Sequence, residues 1–197
     1  MVDMRTKKSK GSNLAFVGDD PETDYEIGFY YGSIFDDLND KIRNNVISLI
    51  ETNKTFAKAF GQGAGWKFAS FSEDVKQIVM NLCKSNPELA KQFSHSVGNH
   101  MGKINAKSMG YLITLAKNDI SFASKFGYDV GFNFHKLKEN VRQSIFDLVN
   151  LKSEFAYNMG IGIRDALDKL EDADKELVIV FAAKNESFAN GLQGKNQ

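Results

Sequence analysis

The chain has 197 residues, with 25 Lys and Arg balanced by 25 Asp and Glu, a formal net charge of zero and a pI near 6.8. That balance supplies no global basic field for nucleic acid or an anionic membrane. A single cysteine excludes an internal disulfide framework and points to a reducing compartment, and no apolar run reaches the length of a signal-peptide core or a membrane span, so a soluble cytoplasmic protein is expected.

Residues 1–24 read as a flexible N-terminal tail. It is basic at Arg5, Lys7, Lys8 and Lys10, acidic at Asp19, Asp20, Glu22 and Asp24, and interrupted by an apolar patch, Leu14-Ala15-Phe16-Val17, suited to docking on the first repeat. From residue 25 the chain repeats every 33 residues without insertion or deletion, as 25–57, 58–90, 91–123, 124–156 and 157–189. Phe56, Leu89, Phe122, Phe155 and Phe188 share one position of the period, each with Ala next in the chain. Phe60, Phe93, Phe126, Met159 and Leu192 share another, and residues 190–197 begin a sixth unit that stops after one turn. A fixed period between about 20 and 50 residues marks an array whose units bury their apolar faces only by stacking. The fold class expected is all-α, an α-solenoid of about five helix-turn-helix repeats.

Within a unit, apolar or small residues at 57, 60, 61, 64, 65, 68 and 71 follow the spacing of one helical face and predict a helix A over roughly 54–70. A second set at 75, 79, 82 and 83 predicts a helix B over roughly 73–84. The position of Met80, filled by Ile47, Ile113, Phe146 and Ile179 in other units, widens the apolar arc of helix B and places it between neighbours. Cys83 shares its position with Ile50, Ala116, Val149 and Ala182 and reads as core. Asn53, Asn86, Asp119 and Asn185 stand where an A helix needs an N-cap, and Pro87 suits a first helical position. Asn39, Ser72 and Asn105 do the same before helix B, where Lys138 and Glu171 give a weaker signal. Turns of two or three residues are expected between helices.

Glycine recurs at two positions of helix A: Gly28, Gly61, Gly127 and Gly160, with Ser94 completing the set, and Gly32, Gly65, Gly98 and Gly131. Each costs a helix interior about 1 kcal/mol against Ala, so close approach of an adjacent helix is the expected compensation. Gly61-Gln62-Gly63-Ala64-Gly65 looks superficially like a phosphate loop, but no strand precedes it, it lacks a subsequent Lys-Ser or Lys-Thr, and its two key glycines recur where no such loop exists.

Paired helices, a 33-residue unit, a small residue within helix A and Pro87 at a unit boundary together resemble the tetratricopeptide class of helical-hairpin solenoids. The resemblance is architectural and covers about 25–189. It implies a right-handed superhelix with a concave groove that holds an extended or helical segment of another protein, and it implies no residue-level chemistry.

The face of helix A away from its apolar positions varies between units. Its positions hold Phe29, Gln62, His95, Tyr128 and Ile161; Ser33, Trp66, Asn99, Phe132 and Asp165; and Asp36, Ala69, Gly102, His135 and Asp168. A ridge of Phe29, Gln62, Trp66, His95, Asn99, Tyr128, Phe132 and His135 is therefore the expected partner-binding site, because an aromatic ring buries much area for little rotamer entropy. Packing of some of these rings within the chain is the competing reading. Net charge runs −2, +1, +3, +1 and −3 along the five units, an asymmetry that would suit an acidic partner across the centre, although chance alone often gives one unit a net of +3.

The function expected is non-catalytic: a protein-interaction or scaffold module that binds a peptide or protein segment along this groove. No nucleophile, general base and orienting group can be nominated from spacing. His95, His100 and His135 lack ligand-spaced Cys, Asp or Glu, so no metal and no cofactor are expected. One aromatic per unit could stack bases of single-stranded nucleic acid, a reading the zero net charge disfavours. End-to-end self-association through an apolar end at Phe188 and Leu192 is a third reading.

Overall fold

The computed structural model describes Leu14, Val17, Gly18 and residues 20–195. Most of the segment read as a tail, including Ala15 and Phe16 of its apolar patch, lies outside the described residues, as do Asn196 and Gln197. Leu14 and Val17 are half-buried against the core.

Two helical layers alternate along the chain. The A helices are α1 (Pro21–Ser33), α3 (Lys54–Lys67), α5 (Pro87–Asn99), α7 (Ile120–Phe132), α9 (Ser153–Asp165) and α11 (Glu186–Gln193). The B helices are α2 (Asp40–Thr52), α4 (Glu73–Ser85), α6 (Ala106–Asn118), α8 (Glu139–Leu151) and α10 (Asp172–Lys184). Among the described residues there is no strand; successive A helices pack on one another, and each B helix packs on the A helix that follows it in the chain.

The boundaries differ in detail from the spacing-based expectation. Helix A ends early: α3 stops at Lys67, and Phe68–Ser70 tighten into a 3-10 turn before the extended pair Phe71 and Ser72. That turn recurs in each full unit, and in four of the five it buries its first residue, Phe35, Phe68, Met101 or Phe134, while Leu167 in the fifth is exposed, so a position assigned to helix A fills the core from a turn in those four. The link from B to A is a single extended residue, such as Asn86 with φ −132° and ψ 97°. The first helix begins at Pro21, four residues inside the segment read as a tail. Its N-cap, Asp20, accepts from the amides of Glu22 and Thr23 at 2.9 Å each and stands at the same position of the period as Asn53.

Asparagine does double duty at that linking position. The side-chain oxygen of Asn86 accepts from the Leu89 amide at 3.1 Å, while its Nδ2 donates to the Ile50 carbonyl at 3.1 Å in α2, the B helix of the preceding unit. Asn185 repeats both bonds, to Phe188 and to Val149. One residue therefore satisfies an orphan donor at a helix start and an orphan acceptor at a helix end. Asp119 caps α7 through the Phe122 amide at 2.8 Å but has no amide to donate, and Lys152 provides no cap. Before helix B, Asn39 and Asn105 cap as expected, whereas the Ser72 hydroxyl is drawn instead to Asp36 at 2.5 Å.

The glycines bring the A helices into backbone contact. A Cβ on Gly28 would stand 2.6 Å from the Phe56 carbonyl oxygen, one on Gly65 2.7 Å from that of Phe93, and one on Gly127 2.5 Å from that of Phe155. Gly63 and Gly162 make the reciprocal approach, to the carbonyls of Phe29 and Tyr128 in the preceding A helices. The segment that looks like a phosphate loop is thus mid-helix in α3, and its glycines face neighbouring backbone on both sides. B helices approach one another less closely, with side chains such as Phe146 and Phe181 stacked between them. Between the layers runs a continuous core that includes Phe60, Phe93, Phe126, Val79, Cys83 and Leu112, all fully buried. Burial pushes the Cys83 thiol well above its ordinary range.

At the C-terminal end the apolar surface is not where Phe188 and Leu192 predict it. Phe188 is 1 % exposed and Leu192 half-buried, because α11 turns both toward α9 and α10 before Gly194, with φ 70°, ends the helix.

A matched pair of substitutions separates contact from propensity. Gly61→Ala meets the Leu89 carbonyl and should lower stability by about 2–3 kcal/mol. Gly110→Ala, in the exposed interior of α6 with nothing within 4 Å of the added Cβ, should raise it by about 0.5–1 kcal/mol. Urea denaturation monitored by circular dichroism reads both.

Candidate binding surface

The ridge residues lie on the outward side of the A layer, but they form two aromatic pairs separated by a polar stretch. Phe29 on α1 and Trp66 on α3 stack with centroids 5.9 Å apart, and Tyr128 and Phe132 on α7 stack at 6.1 Å. Trp66 stays 37 % exposed with Lys67 Nζ 4.4 Å from its ring centre. Lys169 Nζ lies 3.8 Å from that of Phe132. Phe29, Gln62, Tyr128 and Phe132 are half-buried, so neither the exposed reading nor the packed reading holds for every ring. Gln62 bonds to the hydroxyl of Tyr25, an exposed ring that the spacing did not include in the ridge.

His95 and Asn99 are exposed on α5, with His95 Nε2 3.3 Å from Asn99 Nδ2. His135 sits apart, in the 3-10 turn after α7. Its Nδ1 is buried without a hydrogen-bond partner, and burial, then Lys136 and Lys169, hold its pKa below the ordinary 6.5. Among the described residues no group of three or more His, Cys, Asp or Glu is placed to hold a metal ion.

The polar stretch marks a change in how the A layer stacks. Between α5 and α7 the glycine arrangement is broken: Ser94 replaces Gly on α5, and Asp129 projects from α7 onto Gly98, whose missing side chain makes room for it. Asp129 is 3 % exposed. Ser94 Oγ donates to its Oδ2 at 3.1 Å, Lys125 Nζ to its Oδ1 at 3.0 Å, and His95 Nδ1 stands 3.3 Å from Oδ1. A buried carboxylate held by several donors is compensated, whereas an unpaired one would not be tolerated. Here side chains lie where the other A helices meet backbone to backbone, and this is the loosest A–A contact in the array.

A cavity of about 520 Å³ opens beside this junction, lined by residues that include Lys91, Ser121, Ser124, Lys125, Tyr128 and Asn158. Of its carboxylates, Glu88 is taken by Lys54 at 2.7 Å and Lys58 at 3.5 Å, the Lys54 contact holding it below the usual carboxylate range, and Asp119 caps α7. Lys91 is exposed and has no ion-pair partner among the described residues. The cleft thus offers an ammonium, two hydroxyls and an amide next to the Tyr128–Phe132 pair. Tyr128 joins the spacing-predicted ridge to this cleft. Lys91, Ser124, Lys125 and Asp129 were missed, although Asp129 carried a signal: a carboxylate at a position held by Gly63, Ser96 and Gly162 in other repeats.

Acidification should expose His135. A depressed imidazole pKa in the folded state means that the unfolded chain binds the proton first, so stability present above pH about 6.5 is lost as pH falls toward the folded value. Thermal unfolding between pH 7.5 and 5 should show that decline, and His135→Gln should flatten it.

Comparison with protein-family models, curated proteins and solved structures finds no match to this chain.

Proposed function

We propose that the chain is a cytoplasmic, non-catalytic scaffold, similar in plan to tetratricopeptide-like arrays, that binds an acidic peptide segment of another protein along the outward face of its A helices. The observation that carries this reading is the cleft between α5 and α7, with unpaired Lys91 on its wall and the Tyr128–Phe132 stack at its edge. Aromatic surface beside polar donors is the usual composition of an interface anchor. The A layer is also the more closely spaced of the two, and a stack curves toward its tighter layer, so this face lies on the inner curve where a segment touches several units at once. Phe29, Gln62 and Trp66 extend the contact toward the N-terminal units, and His95 and Asn99 bridge the two aromatic pairs. His135, in its separate turn, contributes at the margin. No described helix is long and apolar enough to cross a membrane, so no part of this reading requires one.

Fluorescence anisotropy with a labelled Asp- and Glu-rich peptide carrying one aromatic residue tests the proposal. Binding that weakens as salt rises, and falls about tenfold or more in a Tyr128→Ala, Phe132→Ala variant and in Lys91→Glu, is the expected result. Equal affinity for a lysine-rich peptide, or no effect of either variant, would count against it. A labelled single-stranded oligonucleotide in the same assay should show no comparable binding.

A further inference from the structure

Helix α10 differs from the other B helices in its surface. In α10 the run Leu177-Val178-Ile179-Val180-Phe181-Ala182-Ala183 is apolar on every side. Val180 stands where Ser48, Asn81, Thr114 and Asp147 stand in the other B helices, and Ala183 where Glu51, Lys84, Lys117 and Asn150 stand. Ile179, whose equivalents Met80 and Phe146 are buried by the next B helix, is 67 % exposed, and Val180 is 47 % exposed. Leu167 adds to the same end at 45 %, although its equivalents Phe35, Phe68 and Phe134 are fully buried. Two positions that are polar in the other four B helices are apolar in α10, beside an exposed Ile179. Contiguous apolar surface of this kind marks an interaction site.

From this we infer that α10 is a homodimer interface, in which two copies of the chain pair their α10 helices antiparallel across a twofold axis near Val180. Glu176, Ile179, Val180 and Ala183 follow the spacing of one helical stripe. Pairing centred on Val180 sets Glu176 of one copy beside Lys184 of the other, twice by symmetry. Both residues are exposed, and neither has an ion-pair partner among the described residues. Asp172 and Asp174 are already held within the chain by Lys175 and Arg142, so Glu176 and Lys184 are the charges that make the face complementary to itself. Head-to-tail addition is the poorer fit. The outer side of α2 presents Lys41, Asn45, Ser48 and Thr52, all exposed and polar. In α11, Gln193 stands where four of the five preceding A helices have Gly and α5 has Ser, so the next A helix could not approach as closely.

Light scattering after size exclusion tests the pairing across a dilution series. The wild type should move from a 22.0 kDa monomer to twice that mass and no further. Ile179→Asp, at an exposed position, should keep the helical circular dichroism and raise the dimer dissociation constant about tenfold or more. Glu176→Lys should weaken the dimer and Glu176→Lys with Lys184→Glu restore it, which only the antiparallel arrangement explains. A monomer at every concentration, open-ended growth, or a dimer indifferent to Ile179→Asp would overturn the inference, as would a charge reversal that rescues nothing.

Discussion

In α3, glycine hydrogens are all that separate the helix backbone from carbonyl oxygens of α1 on one side and α5 on the other. That contact governs the rest of the array. Side chains cannot fit between A helices at those positions, so the apolar residues of each A helix are directed toward the B layer, where they form the continuous core. The helix-propensity cost of the glycines, about 1 kcal/mol each, is offset by packing that a larger residue would prevent. B helices, which carry full side chains at their contacts, stand further apart.

Asymmetry between the layers links the fold to its surface. With the inward sides of the A helices committed to glycine contacts and core, the outward side is the part free to vary, and it carries Trp66, Tyr128 and Phe132. Where the glycine pattern lapses, at Ser94 and Asp129, the stack loosens and a cleft opens beside Tyr128. The departure is well supported: the Asp129 carboxylate is buried but held by Ser94 and Lys125, with His95 alongside. This polar junction interrupts the glycine contacts on either side and places donors next to an aromatic pair.

Much of the architecture is legible in the residues alone. A gapless period of 33 residues locates every full helical hairpin, because each unit obeys the same stacking rule. Asn86 and Asn185 announce helix starts because a cap needs a side-chain oxygen, although their second bond to the B helix of the preceding unit cannot be read from one unit alone. The 3-10 turn at Phe68 is hidden, since turn and helix bury that ring equally well. Phe188 reads as an exposed end in the sequence, yet it is covered, because α11 folds back on α9 and α10. The ridge is visible as variation among units, whereas the cleft depends on how far α5 and α7 stand apart, a distance set by the Asp129 side chain.

Native-state amide hydrogen exchange tests most directly the claim that glycine contacts hold the A layer and that their lapse makes the site. Amides of α3 and α9, with glycine-mediated contacts on their flanks, should exchange through the largest openings, while those of α5 and the first half of α7 should exchange faster and together. Protection that is uniform along the A layer, or greatest at the α5–α7 junction, would contradict the account.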